Sequence, residues 1–368
     1  MKKTLILILL LFVLFGCQPD SNKYTKGIVF EFNEETQSYS VVGYEGEDTT
    51  LIIPSKYEGY PVTHMDLSDY NELYDIRVEK VVLPESLLSI GGGTFSLELF
   101  ENLEEVIIPK NCKDFVRGFM YHNHSMDIVI PEDHNYYKEV VIDDVEIVMT
   151  KNEKEIVYIN NTTDENKVLT IPNGVEKIGE YAATYTKYKE IKLPEGLKEI
   201  GRTAFAGTRD QRTNKKATII NLPSTLEHIG LSAFAVGFDG GELVLPPNLK
   251  TIDAHAFAYN NLHTIRINNG LTQFAFLFGE LYIEDNYNHV TTVVIEDLNL
   301  SGETLDNFLK DFVSTNFQHG YKDEVVTIVL PNNDSKDKIK LVVEMSLEIA
   351  KLKNPYVNYP TFVFEYSE

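Results

Sequence analysis

The strongest constraint on this chain is an internal repeat between residues 171 and 207, where one sequence pattern occurs twice. Ile171-Pro172 returns as Leu193-Pro194, and Ile178-Gly179 returns as Ile200-Gly201, in each case 22 residues later. A repeat this short is typical of a structural unit that buries its apolar side only against its neighbours. The repeat therefore predicts a stack of similar units rather than a catalytic motif.

Copies of the same sequence pattern occur along much of the chain, separated by loops of variable length. An apolar residue precedes proline at Ile53-Pro54, Leu83-Pro84, Ile108-Pro109, Ile130-Pro131, Ile171-Pro172, Leu193-Pro194, Leu222-Pro223 and Leu245-Pro246. In five copies an isoleucine follows six residues after the proline, and a phenylalanine or alanine follows five residues later: Ile90 and Phe95, Ile178 and Ala183, Ile200 and Phe205, Ile229 and Phe234, Ile252 and Phe257. This fixed spacing predicts that the core residues of successive units are aligned with one another and that the insertions lie on the surface.

Each copy predicts a short strand that ends at its proline. Before Pro194, the core residues Ile191 and Leu193 alternate with Lys192, as in a half-buried strand. Proline ends the strand because it has no backbone N–H to donate to the ladder. A Glu-Gly or Pro-Asn turn follows, and the Ala-Phe pair is expected to fill the interior from a short helical or irregular turn.

These residues resemble the BspA-like leucine-rich repeat proteins of bacterial surfaces. The resemblance rests on the pattern L-x-x-I-G-x-x-A-F, seen in residues 197–205, followed by an apolar-x-x-apolar-x-apolar-Pro strand. It covers residues 24–275, more weakly between 110 and 168. The resemblance implies a curved β-rich solenoid and a role in adhesion or host-protein binding. Ala183 departs from the family pattern, which has phenylalanine there.

The predicted fold is therefore a β-rich leucine-rich-repeat solenoid of short parallel strands with short helical or irregular turns, hairpin caps and a small α/β C-terminal cap. The predicted organisation is a lipoprotein signal peptide over 1–16, a tether over 17–23, an N-terminal β-hairpin cap over 24–66, the solenoid over 67–275 with a hairpin insertion near 116–167, and the α/β C-terminal cap over 276–368.

The first residues have the pattern of a secretion leader. Met1-Lys2-Lys3 is basic, and the apolar run over 4–15 is too short for a spanning helix. The following Gly16-Cys17 resembles the bacterial lipobox, which implies acylation of Cys17 and anchoring on the extracytoplasmic side of the bacterial cell envelope. The alternative is an ordinary cleaved signal with an incidental cysteine.

Composition excludes some functions. The net charge of -23 argues against sequence-independent binding of nucleic acid, which needs a basic surface. The second cysteine, Cys112, leaves no disulfide framework and is interpreted as a small buried hydrophobe.

Catalytic and metal sites are not predicted. The histidines and aspartates between residues 122 and 134 match no metal-ligand spacing, and Asp143-Asp144 suits a hairpin turn. No nucleophile elbow, phosphate loop or zinc-protease motif is present in the sequence. The expectation is a protein without enzymatic activity or cofactor, and an enzyme with its site in the C-terminal region is a minor alternative.

A binding surface is predicted on the outward side of the strands. The residues between the two core positions of each repeat strand are Val82, Ile107, Lys192, Asn221, Val244 and Arg266, of which Arg266 lies in a strand of the same pattern without a following proline. Half of them are apolar, which favours a partner, although β-branched residues also suit exposed strands. A second candidate is the basic patch Arg209, Arg212, Lys215 and Lys216, which is otherwise a solvated loop.

The functional hypothesis is a surface-exposed, lipid-anchored, adhesin-like recognition protein. Its expected partner is an extracellular or host protein, or a glycan. The alternative is a structural or scaffold lipoprotein of the cell envelope without an external ligand.

Overall fold

A computed structural model gives the fold of the chain. It describes residues 24–67, 78–91, 94–96, 100–115, 126–160, 167–186, 188–207, 218–219, 222–236, 241–258, 260, 262–267, 273–274, 292–295, 325–330, 336–353 and 361–366. The chain divides into two compact units, Met1–Tyr136 and Tyr137–Glu368.

The first unit is built from short strands. They are β1 (Ile28–Asn33), β2 (Ser38–Tyr44), β3 (Thr50–Ile52), β4 (Lys56–Tyr57), β5 (Tyr60–Met65), β6 (Lys80–Val82), β7 (Ser89–Ile90), β8 (Glu105–Ile107) and β9 (Asp127–Val129), with a 3-10 turn at Thr94–Ser96. Strand β1 pairs antiparallel with β2, as expected for the hairpin of the predicted N-terminal cap, and the capping role of this segment stays a prediction. Strand β5 pairs in parallel with both β2 and the first repeat strand β7, so the hairpin and the repeat share one sheet.

The second unit contains the regular part of the stack. Its elements are β10 (Tyr137–Ile142), β11 (Val145–Thr150), β12 (Glu155–Ile159), β13 (Val168–Thr170), β14 (Lys177–Ile178), β15 (Glu190–Lys192), β16 (Glu199–Ile200), β17 (Thr218–Ile219), β18 (His228–Ile229), β19 (Gly241–Val244), β20 (Thr251–Ile252), β21 (Leu262–Ile267), β22 (Gln273–Phe274), β23 (Thr292–Ile295), β24 (Val325–Leu330), α1 (Lys336–Lys353) and β25 (Thr361–Tyr366). Strands greatly outnumber helices among these described residues.

Each repeat contributes two strands rather than the single strand predicted from the sequence. The pre-proline strands β13, β15 and β17 form one parallel sheet. The pre-proline strand β19 belongs to another sheet, where it pairs with β21, a strand of the same pattern without a following proline. In the copies that begin at Pro172, Pro194, Pro223 and Pro246, the isoleucine six residues after the proline lies in a second, two-residue strand. These second strands, β14, β16, β18 and β20, continue an eight-stranded sheet that begins with β10, β11 and β12 and ends with β22.

The core is a set of aligned columns of identical residues. Ile178, Ile200, Ile229 and Ile252 are partners in register on successive strands, and all four are buried. Parallel strands with the same residue in register place the same side chain at the same depth. One column therefore packs as a continuous apolar row, which explains why the spacing after the proline is fixed.

The phenylalanines form a second column beside the isoleucines. The ring centroids of Phe205 and Phe234 lie 5.5 Å apart with planes at 10°, and those of Phe234 and Phe257 lie 5.1 Å apart at 15°. All three rings are buried. Ala183 occupies the corresponding buried position one repeat earlier, so the departure noted in the sequence changes the size of the core residue without exposing it.

The glycine that follows this isoleucine in several copies is explained by close approach of backbones, not by an unusual dihedral angle. A Cβ on Gly201 would lie 2.8 Å from the backbone nitrogen of Glu180, and a Cβ on Gly230 would lie 2.7 Å from that of Arg202. Left-handed backbone occurs elsewhere in the repeat, for example at Gly174 (φ 93) and Gly196 (φ 99), which form turns after the prolines, and at Thr203 (φ 55) and Ser232 (φ 55).

Charged residues alternate along the eight-stranded sheet in two neighbouring rows. The first row, called here the Lys154 ladder, comprises Lys154, Glu176, Lys198, Glu227 and Lys250. Glu176 accepts hydrogen bonds from Lys154 at 2.7 Å and from Lys198 at 2.8 Å, and Lys250 pairs with Glu227. The second row, the Glu155 ladder, has the opposite order of signs: Lys177 lies 3.6 Å from Glu155 and 3.3 Å from Glu199.

The segment near 116–167 and the C-terminal segment both join the repeat sheets. Where the sequence predicts a hairpin, strands β10 to β12 form a three-stranded antiparallel meander, and β12 then pairs in parallel with β14. Strands β23, β24 and β25 continue the parallel sheet of β19 and β21. Strands β24 and β25 and helix α1 lie in the segment 276–368, where the sequence predicts an α/β cap. The capping role of both segments stays a prediction.

Candidate binding face

The outward positions of the first unit lie where the sequence predicts them. Ile107 is 49% exposed, whereas Val106 and Ile108 on either side of it are buried. Val82 is half-buried and follows buried Val81. The alternation of a half-buried strand therefore points Ile107 and Val82 away from the core.

In the second unit, three predicted residues alternate with the core in the same way. Val244 is 47% exposed between two buried leucines, and Arg266 is half-buried between Ile265 and Ile267, which are buried. Lys192 is exposed after buried Ile191. Val244 and Arg266 are partners in register on β19 and β21, so the structure brings them side by side.

The face around Val244 and Arg266 is larger than the sequence indicates. Two rows of register partners cross the five-stranded sheet on this side. The first row is Val244, Arg266, Val294, Val329 and Glu365; the second row is Glu242, Thr264, Thr292, Thr327 and Val363. Each row has a valine at one end and a glutamate at the other. Val294 in the first row is buried, so the exposed apolar members of the face are Val244 and Val363 at its two edges. The repeat phrase fades after residue 271, so only strand alternation could have found the members on β23, β24 and β25.

The two cations on the predicted face already have carboxylate partners. The Arg266 Nε lies 2.5 Å from Glu242 Oε1, and the Lys192 Nζ lies 3.6 Å from Glu190 Oε1. Both pairs are solvent-exposed and are therefore worth little in isolation. A ligand that recruits either cation has to compete with its neighbouring carboxylate, so Val244 and the uncharged residues beside it are the more available part of this face.

Several predicted residues lie outside the described part of the chain. These are Cys17, Asn221, and the basic patch Arg209, Arg212, Lys215 and Lys216. Among the residues that the structure does describe, no helix has the length and apolar character needed to cross a lipid bilayer.

The residues set aside as catalytic or metal candidates have structural roles where they are described. Asp143 and Asp144 form the turn between β10 and β11 with φ values of 49° and 60°, which aspartate tolerates better than most residues. His134 is buried, and its Nδ1 accepts a hydrogen bond from the Tyr136 backbone. Within the described ranges, no group of three or more histidine, cysteine or acidic residues is placed to hold a metal ion.

Comparison with known families identifies the repeat. A profile of the BspA type leucine rich repeat region, in six copies, matches residues 69–167 and 157–277, more than half of the chain. The chain belongs to the BspA-type leucine-rich repeat family. The family resemblance noted in the sequence is thereby confirmed, and the parallel strands before each proline are the repeat strands of this BspA-type protein.

Solved bacterial leucine-rich repeat structures are similar to this BspA-type chain. A leucine rich cell surface protein from Faecalibacterium prausnitzii is 17% identical, with 78% of this chain and 97% of that chain covered and a TM-score of 0.39. A leucine-rich repeat protein from Bacteroides ovatus is 16% identical, with 85% and 73% covered and a TM-score of 0.38. No curated protein matches the sequence significantly.

Proposed function

We propose that this BspA-type protein is a lipid-anchored recognition protein of the bacterial cell surface, which binds a protein or glycan partner through the outward side of its pre-proline strands. The observation that carries the proposal is the exposure of apolar residues at outward positions of these strands, Ile107 on β8 and Val244 on β19. Exposed apolar side chains on the outward side of the strands in each unit offer a partner contact area. Recognition by shape and patch complementarity needs no bond chemistry and no cofactor.

The location in the envelope is supported by the N-terminal sequence. Basic Met1-Lys2-Lys3, the apolar run over 4–15 and Gly16-Cys17 have the order of a lipoprotein leader. Acylation of Cys17 at both sulfur and amine would place several chains on one residue, which is sufficient for stable anchoring.

Binding is tested with the mature chain carrying Cys17→Ser, screened against matrix proteins, glycans and envelope extracts. For any ligand found, Ile107→Asn or Val244→Asn is expected to weaken binding. The matched control is Val141→Asn, because Val141 is a strand valine that is 63% exposed on β10, outside the pre-proline strands. Equal loss in the control, or no loss in the two face variants, would show that the face assignment is wrong.

The anchor is tested in cells by fractionation. Cys17→Ser is expected to move the protein from the membrane fraction to the soluble fraction and to abolish labelling by an alkyne-modified fatty acid. A variant that still partitions with detergent contradicts lipid anchoring but leaves the binding face unaffected, so the two parts of the proposal fail separately.

A further inference from the structure

Six aromatic rings form a connected group on the N-terminal sheet. This aromatic cluster comprises Tyr24, Phe30, Phe32, Tyr39, Tyr57 and Tyr60. Phe30 stacks on Tyr57 with ring centroids 4.1 Å apart and planes at 13°. The remaining neighbours meet edge-on or tilted at 4.9 to 6.2 Å, so the rings form one continuous group across β1, β2, β4 and β5.

The aromatic cluster is not part of the buried core. None of its rings is buried, and its two outer members, Tyr24 and Tyr60, are 38% and 41% exposed. By contrast, Val41 and Val62 on neighbouring strand positions are fully buried. Burying large aromatic rings is among the strongest stabilising contributions a side chain makes. Six rings left half-exposed together therefore form a surface suited to a partner rather than a completed core.

The electrostatic environment of the aromatic cluster is acidic. Residues 24–67 contain Lys26 and Lys56 as their basic residues against eight acidic ones, and the whole chain carries a net charge of -23. One carboxylate belongs to the cluster itself: Tyr39 Oη donates a hydrogen bond of 2.8 Å to Glu58 Oε2. Glu58 has a left-handed φ of 49° in the turn between β4 and β5, which holds it beside the rings.

These observations favour one chemistry of ligand. The faces of aromatic rings carry partial negative charge and attract cations, and arginine is the commonest partner because its planar guanidinium can stack and donate hydrogen bonds together. A carboxylate at the edge of the rings adds a hydrogen-bond acceptor for the same group. An acidic surface raises the local concentration of cationic ligands and repels anions.

We infer that the aromatic cluster is a second binding site of this protein, which docks an arginine-bearing cationic segment of a protein partner between the exposed tyrosines and Glu58. This site lies on the N-terminal hairpin sheet, and its residues are separate from the pre-proline face of the proposed function. It is therefore tested independently of that face.

The test uses the mature Cys17→Ser chain and a capped peptide with three arginines, titrated by calorimetry at low salt. The expected result is saturable one-to-one binding that is lost when citrulline, a neutral guanidine isostere, replaces arginine. Tyr24→Leu with Tyr60→Leu keeps apolar area but removes two π faces, and is expected to weaken binding about five- to thirtyfold, as for two exposed cation–π contacts. Adding Glu58→Gln to this double variant is expected to weaken peptide binding further.

The control variant is Tyr136→Leu, which removes a tyrosine that is 42% exposed outside the aromatic cluster. It is expected to bind the peptide as the parent does, and circular dichroism checks that all variants fold. Equal binding by the parent and the Tyr24 and Tyr60 variant would reduce the interaction to general attraction by an acidic protein and overturn the site. Equal binding of the citrulline peptide, or displacement of the peptide by a neutral hexose oligosaccharide, would overturn the cationic assignment.

Discussion

The phenylalanine column gives the sharpest test of how the stack is held together. Phe234 lies between Phe205 and Phe257, with both neighbouring rings nearly parallel to it and within 5.5 Å. Replacing a buried phenylalanine by alanine costs about 3–5 kcal/mol, through lost burial and the cavity left behind. Because Phe234 contacts rings on both sides, Phe234→Ala is expected to lie at the upper end of this range.

A second variant separates the contribution of the apolar volume of Phe234 from that of its contacts with the two neighbouring rings. Phe234→Leu keeps most of the apolar volume but removes two ring–ring contacts, each worth about 0.5–1.5 kcal/mol beyond burial. We therefore expect Phe234→Leu to cost about 1–3 kcal/mol, clearly less than the alanine variant. For a unit of this size, 4 kcal/mol corresponds to a fall in Tm of about 8–16 °C.

The assay is urea and thermal unfolding of the mature Cys17→Ser chain, followed by circular dichroism. Leu352→Ala on helix α1 is the control, because Leu352 is exposed and its truncation is expected to change the free energy of unfolding by less than about 0.5 kcal/mol. A loss below about 2 kcal/mol in Phe234→Ala would mean that the neighbouring repeats collapse into the space. The column would then not be a rigid element of the core, and the reasoning would fail.

Three further predictions concern other features of the molecule. Gly201→Ala is expected to destabilise the protein by about 1–3 kcal/mol, because the added Cβ meets the backbone of the preceding repeat. In urea unfolding, this variant should lose more stability than Gly196→Asn, because a Cβ at position 196 meets no other atom. The reverse order would contradict the close-approach argument. Hydrogen bonds from Lys154 and then Lys198 lower the pKa of Glu176 to about 2 from 4.5, so its stabilising contribution is complete above pH 4.5 and is lost as the pH falls towards 2. The Tm should therefore fall over this window less steeply in Glu176→Gln than in the parent, and parallel curves would refute the role of this carboxylate. Burial raises the pKa of Cys112 to about 12, so its thiol should resist a thiol reagent at pH 8 until urea unfolds the chain, and rapid labelling of the native Cys17→Ser chain would contradict this burial.

The repeat architecture could be predicted from the sequence because its periodicity fixes the core. The spacing from each proline to isoleucine and phenylalanine identified the buried columns, and alternation identified Ile107 and Val244 as outward positions. The second strand of each repeat was missed because two residues, such as Lys177 and Ile178, are too few to show a period of two. Its existence depends on pairing with neighbouring repeats, which is a property of the stack and not of one copy.

The candidate sites were predictable only in part, because they also depend on which strands pair in the folded chain. The sheet extension through Val294 and Val363 follows from register partners that are far apart in the chain. The aromatic cluster is built from residues between Tyr24 and Tyr60 that show no common spacing, and only the pairing of the strands brings the rings together. Sequence alternation predicts which way a side chain points, but it does not predict which other side chains it meets.

The two antiphase charge ladders also have a consequence for assembly. The repeats have nearly identical apolar interiors, so the core alone would let a repeat stack on the wrong neighbour, within one chain or between two. Because the sign alternates from Lys154 to Glu176 to Lys198, a repeat stacked on its second neighbour would set lysine against lysine and, in the Glu155 ladder, glutamate against glutamate. Like charges directly opposite on adjacent strands are unfavourable. The ladders therefore disfavour a register in which one repeat is skipped, a mistake that the apolar core alone would tolerate.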